Sequence, residues 1–204
     1  MKEKKYYRFY DSINTYLGDV LKTSKLYMSD YISMQSRNDK SEGIYLLDSM
    51  ISIELRKNVH HEKKKLMICC VTNKVRNGHM WKEFANNGDG LCIAFHVTDS
   101  NSIKSFKIRY QNNRPYITPS QFKSQTPAEI AEEILKYKES KFSDELETRF
   151  IKRVTDGRSC DYLPIIIDRI YLGWNLTKAD ESKFRGYPTQ TNIKFIKLHK
   201  QIDN

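Results

Sequence analysis

Glu145, Glu147 and Arg149 alternate with Leu146, Thr148 and Phe150 in the stretch DELETRF, residues 144–150. In a β-strand, residues i, i+2 and i+4 share one face, so the two carboxylates and the guanidinium point the same way. Carboxylates held close together repel, which raises the pKa of one of them and suits it to take a proton from a reacting group. Arg149 is placed to orient the pair or to contact phosphate. A helix distributes the same residues around its axis, and Ser143 or Asp144 can cap one after the amphipathic stretch EIAEEILKYKES. Periodicity leaves both readings open.

The elements that must position these charges belong to a chain of 204 residues with 39% hydrophobic content, which suits one domain, residues 1–204, with a real core. Lys and Arg outnumber Asp and Glu by 35 to 25, and a net charge of +10 concentrates polyanions around the surface. Nucleic acid leads among such partners, ahead of anionic cofactors and membrane surfaces. Thirteen Tyr and nine Phe accompany the charge; most belong in the core, while exposed rings can stack on unpaired bases.

The four cysteines, Cys69, Cys70, Cys92 and Cys160, lack CxxC spacing and read as reduced core residues. MKEKKYYRFYDS holds no apolar stretch long enough for a signal peptide, and no run approaches a transmembrane helix, so the expected location is cytoplasmic, with no membrane partner. GxGxxG, the P-loop and HExxH are absent, and His60–His61 lies in a lysine-rich stretch without further ligands, so no metal site is expected.

Along the chain, residues 5–11 alternate as a strand, INTYLGDVLKTSK is helical with a break possible at Gly18, and residues 26–34 read as a strand running into a loop. Residues 44–65 read as a helix with a basic tail, 66–72 as a buried strand, 79–86 as a short helix and NNGDG as a turn into the strand 91–97. FKIRY and RPYIT, within 106–118, form a candidate strand pair; 127–140 is a helix; LPIIIDRIYLG and NIKFIKL are late strands. Strands and helices mix without a regular βαβ repeat, which predicts an α+β fold.

The order of segments resembles a bacterial family of domains of unknown function. The resemblance is carried by Tyr7-Arg8-Phe9, by Leu26-Tyr27-Met28-Ser29, by Met80-Trp81 through Phe84-Ala85 to Gly90-Leu91-Cys92-Ile93-Ala94-Phe95, by Phe142 to Arg149, and by Ile167 to Gly173. The layout also resembles ADP-ribosyltransferases, the DarT-like branch especially. That resemblance implies a single domain with a split mixed β-sheet core and flanking helices. It implies NAD as co-substrate, bound by Arg8, by Tyr27 and Ser29, and by Tyr31, with Glu147 as the catalytic carboxylate and Glu145 helping the acceptor. Met34-Gln35-Ser36-Arg37 replaces the family's Asn-Asp-Pro, and Phe142 its Trp.

Breaking the nicotinamide–ribose bond develops positive charge on the ribose, which a fixed carboxylate stabilises. On that reading Glu147 holds the transition state and Glu145 is the base. The resemblance and the charge together imply a toxin that modifies nucleic acid, RNA before DNA, restrained by an antitoxin protein or acting in phage defence. A binding module with the same fold and no chemistry is the second expectation, and a transferase acting on protein the third. Each residue also has a packing or solvent reading: Arg8 as a solvated strand residue, Tyr27 and Tyr31 as core aromatics, Trp81 as a packing residue, Lys63 to Lys65 as a solvated face.

Overall fold

The computed structural model describes residues 4–12, 16–34, 43–98, 101–187 and 193–199. The chain runs β1 (Tyr6–Asp11), α1 (Leu17–Thr23), β2 (Lys25–Ser29), α2 (Tyr31–Met34), β3 (Leu46–Leu47), α3 (Ile53–Lys64), β4 (Leu66–Thr72), α4 (Gly78–Glu83), β5 (Gly90–Val97), β6 (Ile103–Lys107), β7 (Arg109–Gln111) and β8 (Tyr116–Ile117). It continues with α5 (Gln121–Ser124), α6 (Pro127–Ile134), β9 (Tyr137–Glu139), a 3-10 segment (Ser140–Glu145), β10 (Glu147–Arg153), β11 (Cys160–Leu172), α7 (Lys178–Arg185) and β12 (Lys194–Lys197). The fold is mixed α/β around one large, mainly antiparallel sheet, in the order β1-β5-β11-β2-β4-β10-β6, with β12 added in parallel to β11.

One pairing closes this sheet on itself. β10 pairs along the whole of β4, and the opposite edge of β4 receives β2 at Ser29–Ile68 and β1 at Tyr7–Thr72. Two strands therefore share one edge and diverge between those contacts. The Cys70 carbonyl lies midway between them, and the Arg8 guanidinium donates to it. An interior carbonyl on a diverging edge needs such a donor.

The alternation of each strand divides the apolar residues between two faces. Tyr6, Tyr10, Leu26, Met28, Met67, Cys69, Val71, Phe95 and Phe150 pack the main core, joined by Leu17, Val20 and Leu21 of α1. On the other face, Leu66, Ile68 and Ile151 pack under Ala131 and Leu135, while Phe9 and Cys92 pack under Trp81 and Ala85. Trp81 is fully buried, with its indole N–H on the Val75 carbonyl and its ring edge-on to Phe9 at 5.1 Å. Among the described residues no helix is long and apolar enough to cross a membrane.

Several elements differ from the sequence reading, each for a local reason. The strand at 26–34 stops at Ser29, because the Asp30 carboxylate accepts from the Ser33 amide at 2.7 Å and starts a helical turn. The helix read at 44–65 begins only at Ile53, where the Ser52 hydroxyl accepts from the Leu55 amide at 3.2 Å; Leu46–Leu47 are strand. FKIRY and RPYIT do not pair with each other. β6 pairs with β10, β7 runs parallel to β9, and β8 runs parallel to β3.

The helix read at 127–140 opens on a capping box between Thr126 and Glu129 and ends at Ile134. Its last carbonyls are taken from outside: Leu135 by Arg149 at 2.8 Å and Lys136 by the Arg109 amide at 2.8 Å. Lys63, read as solvated, is buried, with its ammonium on the Gly43 carbonyl at 2.6 Å and over the Tyr31 ring at 4.0 Å. The loop read after Met34 and the replacement at 35–37 lie outside the described residues.

Candidate active site

The carboxylates meet where β10 begins. Glu147 is paired with Thr72, and Thr72 in turn with Tyr7, so these three residues are cross-strand neighbours on one face. Two residues along the same face, Arg149 is opposite Cys70. The segment is thus a strand from Glu147 onward, and Glu147 and Arg149 share a face as their spacing predicts.

Glu145 arrives differently. It closes the 3-10 segment, and Leu146 behind it adopts a left-handed backbone, φ 48° and ψ 45°. A branched residue there costs on the order of 1–2 kcal/mol, and the surroundings hold it in place. Asn77 donates from its side-chain amide to the Asp144 carbonyl at 2.6 Å. The Leu146 amide reaches the Ser143 carbonyl at 3.2 Å.

Lys138, in β9, gathers the pair. Its ammonium is 2.7 Å from one Glu145 oxygen and 3.2 Å from Glu147 Oε2. The remaining Glu147 oxygen accepts from Arg149 Nε at 2.6 Å, and Arg149 is fully buried. The Glu147 amide donates to the Tyr110 hydroxyl at 2.8 Å. The Phe142 ring lies 4.7 Å from the Lys138 ammonium, a cation–π contact at the rim of the cluster.

These neighbours drive the two carboxyls apart. Burial pushes Glu145 up and the adjacent Glu147 adds to this, while Lys138 opposes them without cancelling the effect of burial, so the pKa rises to about 7. Burial alone would also raise Glu147. Arg149, Lys138 and a hydrogen bond with Cys70 outweigh it and hold this carboxyl well below the usual range. Burial raises the Tyr110 hydroxyl to about 12 and the Cys70 thiol well above its ordinary value. One carboxylate is therefore permanently ionised, and its neighbour exchanges a proton near neutrality, a division of roles suited to acid–base chemistry.

The sign of the resulting pH dependence follows from Glu145. Its folded pKa is raised, so the folded state holds a proton that the unfolded chain has released, and stability falls as pH rises from about 4.5 to about 7. At 1.36 kcal/mol per unit the loss is on the order of 3 kcal/mol. Glu147 works in the opposite sense, its contribution being lost only as pH falls below the ordinary carboxylate range. Urea midpoints at pH 5 and pH 8 are expected to differ more in the wild type than in Glu145→Gln. Equal pH dependence in the two proteins would remove the raised pKa.

The remaining sequence candidates scatter. Arg8 alternates with Tyr7 and so faces the main core beside Tyr10, reaching the notch at Cys70, where the Glu147 charge raises its pKa after burial and the nearer groups have acted. Ser29 closes the contact of β2 with β4. Tyr27 is exposed, with its ring against Tyr16 and Tyr162 rather than against the carboxylates. Tyr31 is buried, with its hydroxyl 3.1 Å from His60 Nδ1. Sequence reading missed Lys138 and Tyr110, which lie on other segments; the ion-pairing habit of a buried carboxylate was the signal that one more cation had to be nearby.

Residues 80–150 match a family model described as "Protein of unknown function (DUF2971)". The matched span starts at α4 and ends in β10, and therefore includes Lys138, Glu145, Glu147 and Arg149. No curated protein and no solved structure matches the chain.

Proposed function

We propose that the chain is an NAD-dependent ADP-ribosyltransferase that modifies nucleic acid, RNA before DNA, and acts as a toxin restrained by an antitoxin protein or within phage defence. The observation that carries this reading is the pair Glu145–Glu147, bridged by Lys138 and split into a proton-exchanging and a permanently ionised carboxyl. NAD is the substrate. The bond between nicotinamide and the ribose anomeric carbon breaks with its electrons leaving on nicotinamide, and Glu147 stabilises the positive charge left on the ribose. An acceptor N–H or O–H then bonds to that carbon and gives its proton to Glu145.

Arg8, buried beside Cys70, adds a cation within electrostatic reach of Glu147, which supports an anionic substrate. The net charge of +10 supports a polyanionic acceptor over a protein one. A non-catalytic nucleic-acid-binding module is the second reading. It is favoured by one observation: both Glu147 oxygens are already taken by cations, and the residue is only 4% exposed. On that reading the ion network locks β9 to β10 and does nothing else.

Incubation of the purified protein with NAD labelled in the adenylate, alongside separate RNA, DNA and protein pools, decides between them. Release of nicotinamide with label on RNA is expected. NAD left intact by a folded protein would overturn the transferase, and label on protein alone would overturn the nucleic-acid acceptor.

A further inference from the structure

Three tyrosines stand together on the sheet surface. Tyr27 on β2 is the cross-strand partner of Tyr162 on β11, and their rings meet edge-on with centroids 6.1 Å apart. Tyr16, just ahead of α1, lies nearly parallel to Tyr27, at 6.3 Å and 16° between planes. They are 64%, 47% and 50% exposed for Tyr16, Tyr27 and Tyr162. The apolar strip continues along the same face of β11 through Pro164 to exposed Ile166, and Lys25, the cross-strand partner of Pro164, is exposed beside it.

We propose that this strip is a binding platform for single-stranded nucleic acid, with unpaired bases stacked on Tyr27 and Tyr162 and phosphate held by Lys25. The platform rests on the nucleic-acid acceptor proposed above. Two features select this occupant. Half-exposed rings beside a lysine match the alternation of base and phosphate along a strand, and a chain of net charge +10 draws in polyanions. Asp30, the acidic group that acts on the Tyr27 hydroxyl, is engaged by the Ser33 amide.

The platform also lies on the side of the sheet where the chemistry is proposed. Ser29 pairs with Ile68 and Ile68 with Ile151. Tyr27 and Glu147 are each an even number of residues from those positions, so these two residues share one face.

The test measures anisotropy of fluorescein-labelled twelve-nucleotide oligo-adenylate as RNA, as DNA and as duplexes, at low and physiological salt, with NAD hydrolysis followed in parallel. Tyr27→Ala and Tyr162→Ala are each expected to weaken single-strand binding on the order of ten- to a hundredfold, while Tyr27→Phe keeps it and Tyr162→Ala leaves NAD hydrolysis unchanged. Tyrosine-dependent binding by a protein that never hydrolyses NAD supports the platform and overturns only the transferase. Wild-type affinity in both alanine variants, preference for duplex, or failure of the wild type to bind any single strand would each overturn the platform. So would a change in sedimentation of the alanine variants in place of a change in binding, because it would make a second copy of the chain the occupant.

Discussion

Arg149→Met is expected to destabilise the folded protein by about 3–5 kcal/mol, the usual consequence of removing one partner of a buried ion pair. Arg149 is fully buried and holds Glu147 Oε1 at 2.6 Å through Nε and the Leu135 carbonyl at 2.8 Å through Nη1. Methionine fills a similar volume but donates nothing. It leaves the Glu147 carboxylate with Lys138 as its cation beside Cys70 and Glu145, and the end of α6 without this donor. Arg149→Lys should recover only part of the loss, because an ammonium is a point charge and cannot reproduce two bonds fixed in a planar fork. Denaturant midpoints of the three proteins measure this, and a loss below about 1 kcal/mol in Arg149→Met would show that the pair contributes little.

Glu147→Gln is expected to lower ADP-ribose transfer, and NAD hydrolysis with it, on the order of a hundredfold or more, the scale on which removal of a preorganised electrostatic partner acts. The structure adds a second consequence. The amide oxygen can still accept from Arg149, but the amide nitrogen then faces the Lys138 ammonium, so stability falls while the fold persists. Rates are therefore compared at a temperature where the melting curve shows the variant folded. A folded Glu147→Gln protein with the wild-type rate would take Glu147 out of the reaction. A loss of stability with no wild-type activity to lose is what the non-catalytic reading expects.

Of the two readings open to DELETRF, the strand put Glu147 and Arg149 on one face, and β10 forms that strand from Glu147 onward, where the period of two is a local property that survives in any partner context. The strands around Tyr7, Ile68 and Ile93 were legible for the same reason, as uninterrupted apolar or alternating runs, and the start of α6 was legible in part through its helical period. What those runs pair with was not legible. FKIRY and RPYIT satisfy the pattern of a hairpin, yet each found a distant partner, because register depends on which faces the rest of the chain leaves to be buried.

The candidate site divides along the same line. The residues of DELETRF offered two carboxylates and a guanidinium on one face if the segment is a strand, with the helical reading open beside it. Only the tertiary structure decided what they are to one another. The left-handed turn at Leu146 detached Glu145 from the strand, and Lys138 came in from β9 to hold both carboxyls. Arg149 and Lys138 kept the buried Glu147 ionised, while burial raised the pKa of Glu145, which has no guanidinium of its own. Charge state is set by burial and by neighbours across space, and neither is written in the order of residues along the chain.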